Sequence, residues 1–240
     1  MNATDVLNAA GGGQYAEANG IARMFADLES YIYPFFLKSQ PLLYALAKIN
    51  FIVVPLIFLC FLAYVTFYRK HRLLNKLEKK NNYYIWGGSL ILYIILGFMK
   101  INFGYDIVFD LSTFVLPTIA KFYGPLVGCI FAVLQYILNI LVKGGNFNFL
   151  LLIVAATSGV LYGILFYRRK TRFTTCISTK IIVGFVCNVF LTAIIFWQSS
   201  NVNIAQQMTG GAISTVLTSP VHAIIIYAIF KTVRLIKSHL

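Results

Sequence analysis

The chain is expected to be an all-α, polytopic membrane protein of seven spans, and two observations require it. Hydrophobic residues make up 59% of the 240 and charged residues only 11%, more apolar surface than one soluble core of this size can hide. Apolar runs long enough to cross roughly 30 Å of hydrocarbon recur from Ile49 to the C-terminus. In lipid a backbone must satisfy its own polar groups, as a helix does, or close into a barrel of alternating strands. The stretch Phe149 to Phe166 is apolar on every side, so the helical solution holds.

The elements follow in order. After a Gly-rich opening (Gly11, Gly12, Gly13), residues Tyr15 to Leu37 place Ile21, Met24, Phe25, Leu28 and Ile32 at near-helical spacing, which predicts an amphipathic helix lying on the membrane surface. The first span is expected at Ile49 to Tyr68, with Pro55 inside it, followed by a strongly basic loop from Arg69 to Lys80. Further spans are expected at Tyr83 to Met99, Ile107 to Ala120, Leu126 to Val142, Phe149 to Tyr167, Ile177 to Trp197 and Gly211 to Lys231, the second of these short and closing at Pro117. The chain thus divides into residues 1–82, holding the amphipathic segment, one span and the basic loop, and a core of residues 83–240. No basic stretch leads into a short apolar core at the N-terminus, so the first span is expected to act as its own insertion signal.

The net charge of +13 is a matter of placement. One set of loops and span ends receives Arg69, Lys70, Arg72, Lys76, Lys79, Lys80, Lys121, Arg168, Arg169, Lys170, Arg172, Lys180, Lys231, Arg234 and Lys237. The other receives Arg23, Lys38, Lys48, Lys100 and Lys143, five of the twenty. The richer face is expected in the cytoplasm, with the N-terminus outside and the C-terminus inside. The basic charge therefore reports topology and favours anionic lipid, and a nucleic-acid partner is excluded. The four cysteines (Cys60, Cys129, Cys176, Cys187) have no metal-ligand spacing and read as packing residues. No metal or cofactor is expected. No Gly-rich loop followed by Lys and Ser or Thr is present, so the chain does not cradle ATP phosphates itself.

From Tyr84 to Ile236 the pattern resembles the six-span substrate-binding (S) component of the energy-coupling-factor (ECF) vitamin transporters, folate-uptake type. The residues that carry the resemblance are Asp110, Leu111, Ser112 and Pro117, then the turn Tyr123-Gly124-Pro125 into Leu126, Val127 and Gly128. Gly144 to Phe149 follow, then Ala155, Ala156, Ser158, Gly159, Tyr162 and Gly163 with a basic end at Arg168 to Lys170, and finally Pro220 and Tyr227 before a basic tail. The resemblance implies high-affinity uptake of a vitamin-type micronutrient, folate-like, by a subunit that is not an enzyme. Its implied partners are a transmembrane coupling (T) subunit and two ATPase subunits. The chain departs from the family at three places. Gln135 stands where a carboxylate is common, Gly211, Ser214 and Thr215 stand where folate-type members carry basic residues, and the paired alanines of the first core span are replaced by Gly87, Gly88, Ser89 and Gly97.

A ligand pocket in such a bundle should collect the polar and aromatic residues of the outer span halves, because polar groups persist in hydrocarbon only where protein or water lines them. The fifth core span offers Asn188, Thr192 and Trp197, the first two sharing one helix face at a separation of four. The sixth offers Gln207, Ser214, Thr218 and His222. Two loops, one with Lys143, Asn146 and Phe147 and one with Asp106, are expected to act as a lid. Structural alternatives stand beside each: Asn188 as interhelical glue, Trp197 as an interfacial anchor, and the hydroxyls bonded back to their own helices. A rival reading from another class pairs Ser158 with His222 as a rhomboid-like intramembrane serine protease, since a Ser–His pair needs only hydrogen-bond reach. The second core span lacks a His and Asn four apart for an oxyanion site.

Overall fold

The computed structural model describes residues 19–69, 81–98, 100–102, 108–143, 146–167, 169–197 and 203–239, with side chains over 26–66, 87–98, 112–142, 146–167, 169–197 and 203–232. The chain is an all-α bundle. Its helices are α1 (Asn19–Lys38), α2 (Gln40–Lys48), α3 (Asn50–Arg69), α4 (Asn81–Phe98), α5 (Val115–Tyr123), α6 (Pro125–Lys143), α7 (Phe149–Phe166), α8 (Phe173–Val183), α9 (Thr192–Phe196) and α10 (Ile204–His239). A π-helical segment, Gly184–Leu191, joins α8 to α9 without a break.

Among the described residues four stretches are long and apolar enough to cross a membrane: Pro125–Val142, Phe149–Phe166, Phe173–Phe196 and Ile204–Thr232. The pair α2 and α3, bent by 90° at Ile49, supplies a fifth when taken as one, and Gly87–Phe98 is a shorter apolar helix. The protein is therefore a multi-pass membrane protein. One expected span is corrected. Residues 107–120 do not form a single helix: Val108–Asp110 pairs antiparallel with Lys100–Asn102 as β2 with β1, a 3-10 turn covers Leu111–Phe114, and α5 begins only at Val115. Nine helical residues reach about 14 Å, too short to span. Pro117 opens this helix rather than closing it, because in a first turn its missing N–H has no intrahelical partner to lose. The helix ends instead at Gly124, whose φ of 98° lies in the region that favours glycine.

The tightest packing joins α6 to α7. A Cβ on Gly159 would stand 2.2 Å from the carbonyl oxygen of Gly128, and one on Gly163 would stand 2.2 Å from Cα of Pro125. Two antiparallel helices thus touch backbone to backbone, the close approach that drives association where lipid offers no hydrophobic force. At the end of α6 that begins at Pro125, the Lys121 ammonium donates to Phe166 O at 3.0 Å and to Arg169 O, and lies 5.7 Å from the Phe230 ring centroid. It satisfies carbonyls that the end of α7 leaves open. Three of the basic clusters expected on one face, at Lys121, Arg169 and Lys231, therefore gather at one end of the bundle.

The N-terminal helices belong to the bundle. Phe36, Leu43 and Ala47 are buried in a cluster with Val189, Ala193, Ile194, Ala205, Met208 and Ala212, at the end opposite the Lys121 clamp. The amphipathic periodicity of α1 is thus partly met by protein, while Tyr31 and Phe35 stay exposed at 82% and 69%. The expected clash at the α6–α7 contact makes a direct test. Gly159→Ala should lower the melting temperature in detergent, with a loss of about 1–3 kcal/mol from overpacking. Gly210→Ala, where nothing lies within 4 Å, should be neutral or stabilising because alanine is the better helix former.

Candidate ligand site

The end of the bundle away from Lys121 holds the groups that could meet a ligand. The loop between α6 and α7 is pinned at Asn148. Its side-chain oxygen accepts from the N–H of Leu150 at 2.9 Å and of Leu151 at 3.4 Å, capping α7. Its backbone N–H donates to the Tyr136 hydroxyl at 3.0 Å, and that hydroxyl donates to its carbonyl at 2.9 Å. Beside this staple, Phe147 is exposed and meets the Tyr136 ring edge-on with centroids 6.1 Å apart, and Asn146 is exposed too. Lys143 is the last residue of α6, its side chain outside those described. Asp106 lies outside the described residues altogether.

On α10 the predicted residues Ser214, Thr218 and His222 form one stripe at four-residue steps. The Thr218 hydroxyl donates to Ser214 O at 2.7 Å, and His222 Nδ1 lies 2.8 Å from Thr218 O. A carbonyl only accepts, so Nδ1 carries the proton and the Nε2 of the neutral ring is an acceptor. The His222 ring is buried and sits 5.3 Å from that of Phe114, which joins this stripe to the 3-10 turn before α5.

The fifth core span contains a π-helical segment. In the π-helical segment the Thr192 hydroxyl reaches five residues back to Cys187 O at 2.7 Å. Asn188 is exposed and Thr192 half-buried. Trp197 faces Tyr44 of α2 with ring centroids 5.1 Å apart. Tyr44 also accepts from Gln40 Nε2 at 2.8 Å, and Gln40 Nε2 meets Asn203 Oδ1 at 3.1 Å. Gln207, half-buried, lies one turn beyond Asn203. Apart from Asn188 and Thr192, the described predicted residues fall into three groups: the lid at Asn146 and Phe147, the α10 stripe, and an aromatic and amide cap beneath α2 that holds Trp197.

Two residues outside the predicted set carry a stronger mark. Gln135 is 6% exposed and its Nε2 has no hydrogen-bond partner, and one turn later Asn139 Oδ1 has none either. Both are on α6, and Phe131, one turn before Gln135, packs with Val115, Ile119 and Val127. An amide atom buried without a hydrogen bond is unfavourable by about 1–3 kcal/mol, which sets this pair apart from the hydroxyls bonded within their own helices. The sequence signal was two amides four apart in an otherwise apolar run.

Two other arrangements offer less. A cleft of about 200 Å³ between α4, α5 and α10 is lined by Leu92, Val115, Ile225 and other apolar groups, with hydroxyls only from Ser89 and Thr118. That of Thr118 is bonded to Phe114 O at 2.8 Å. Ser158 donates to Ala155 O at 2.7 Å, so its hydroxyl, like the Nδ1 of His222, is engaged with its own helix. Among the described residues no group of three His, Cys, Asp or Glu could hold a metal. The staple predicts that Asn148→Ala, which removes the cap of α7, will lower stability by about 1 kcal/mol, read as a lower melting temperature.

No protein-family profile matches the chain, and no curated protein does. Among solved structures it is similar to the crystal structure of FolT bound with folic acid, with a TM-score of 0.54 and 18% identity over 63% of this chain and 93% of that one. The match takes in nearly all of FolT, and the bundle described above has its fold.

Proposed function

We propose that the chain is the S component of an ECF-type vitamin transporter. In this reading it binds a folate-like micronutrient from outside the cell and delivers it through a T subunit and two ATPase subunits. One observation carries the reading furthest: a bundle with the fold of a protein solved with folic acid holds a buried amide, Gln135, and a half-buried one, Asn139, each with one polar atom that lacks a partner. Amides offer a donor and an acceptor together, which suits the mixed edge of a nitrogen heterocycle. Phe147, exposed at the adjacent loop, would cover an aromatic ring in this reading. The absence of a Walker pattern leaves energy to separate ATPases. The basic end at Lys121, Arg169 and Lys231 faces the cytoplasm by the bias of lysine and arginine, so the amides open outward and the N-terminus lies outside.

Titration of the purified protein with folic acid tests this. Binding is expected in the wild type, and Gln135→Leu should weaken it about tenfold or more, the effect of one lost hydrogen bond in a dry site. Ser158→Ala should bind as the wild type does. A wild type that ignores folic acid and other vitamins while Ser158 reacts with a serine-directed probe would contradict the reading. Affinity purification from the native membrane should also recover a coupling subunit with two ATPases.

A further inference from the structure

We infer that the N-terminal span supplies a ligand-binding residue, Asn50, to the site of the six-span core. This deepens the transport reading and rests on it. Asn50 is 0% exposed, and neither its Nδ2 nor its Oδ1 has a hydrogen-bond partner. It stands at the 90° bend between α2 and α3, on a buried stripe of Leu43 and Ala47 before the bend and Asn50 and Val54 after it.

The neighbours of that stripe locate the amide. One turn before it, Ala47 belongs to the buried cluster of Ala193 and Ile194 at the end of the fifth core span. One turn after it, Val54 belongs to the cluster that contains Leu150 and Leu191. Leu150 is in the first turn of α7, which Asn148 caps next to Phe147. The corner at Asn50 therefore lies inside the bundle, where α2 packs on α9 of the fifth core span and α3 packs on α7. No apolar packing need is met by an asparagine here, since a leucine of similar volume would bury without loss of hydrogen bonds. Both halves of the amide are open, so the matching group is an edge with a donor and an acceptor side by side, as in a lactam or an aminopyrimidine ring. The bend at Ile49 serves this placement: it turns the chain from the cap formed by α2 into the span, with the amide at the corner.

The test compares wild type, Asn50→Leu and Asn50→Ser, each melted without ligand and titrated with folic acid. Any small molecule that the wild type retains on purification is identified by mass spectrometry and titrated alongside. The expected result is a melting temperature of Asn50→Leu at or above that of the wild type, with affinity about tenfold lower or worse in both variants. Wild-type affinity in the variants overturns this inference alone and leaves the transport reading standing. Loss of melting temperature in both variants makes Asn50 a structural residue and overturns it as well. A wild type that binds neither folic acid nor any retained molecule removes the transport reading and this inference with it.

Discussion

The packing of α6 on α7 is set by the contact of Gly128 with Gly159. With no side chain between them, α6 and α7 approach until the backbones touch, and Pro125 fills the space that Gly163 leaves one turn away. That contact determines the rotation and depth of α6. At one end Lys121 can then reach the carbonyls that finish α7, and at the other Tyr136 meets Asn148. In hydrocarbon such packing and a few hydrogen bonds must supply what water-driven burial supplies elsewhere. A helix held this firmly can keep two underbonded amides, Gln135 and Asn139, inside the protein without turning them to its surface.

The spans were largely legible because apolar run length is a direct demand of the bilayer. The span expected from Ile49 begins at Asn50, that expected from Leu126 begins at Pro125, and that expected from Phe149 begins there. The failures occur where hydropathy and helicity part. Residues 107–120 are apolar enough to suggest a span, yet Asp110, Ser112 and the β-pairing of 108–110 keep the helix short. The last helix was expected from Gly211 to Lys231 and runs from Ile204 to His239, because backbone hydrogen bonding continues through polar turns where the apolar run stops. The eighth helix begins at Phe173, which places Lys180, expected at a face, two turns inside it and half-buried; the long apolar stem of lysine tolerates this.

The site was less legible for a related reason. Polar residues in apolar runs can be seen in a sequence, but their orientation depends on helix winding and partners. Asn188 and Thr192, four apart, differ in exposure along and just after the π-helical segment. Trp197, expected as a pocket wall or an interfacial anchor, meets Tyr44, from a segment whose packing partner no periodicity reveals. Ser214, Thr218 and His222, each named from the sequence, lie at four-residue steps on α10. Gln135 was visible only as a departure from a pattern, and its burial without a partner turns the departure into a feature.

The central claim, that this bundle encloses a vitamin-type ligand between its amides and its lid, is tested most directly by what the protein carries. Purified in mild detergent and then denatured, it should release a nitrogen heterocycle of vitamin type in near-equal molar amount, identified by absorbance and mass spectrometry. A preparation that releases nothing, and stays unchanged in melting temperature across a panel of vitamins, would contradict it.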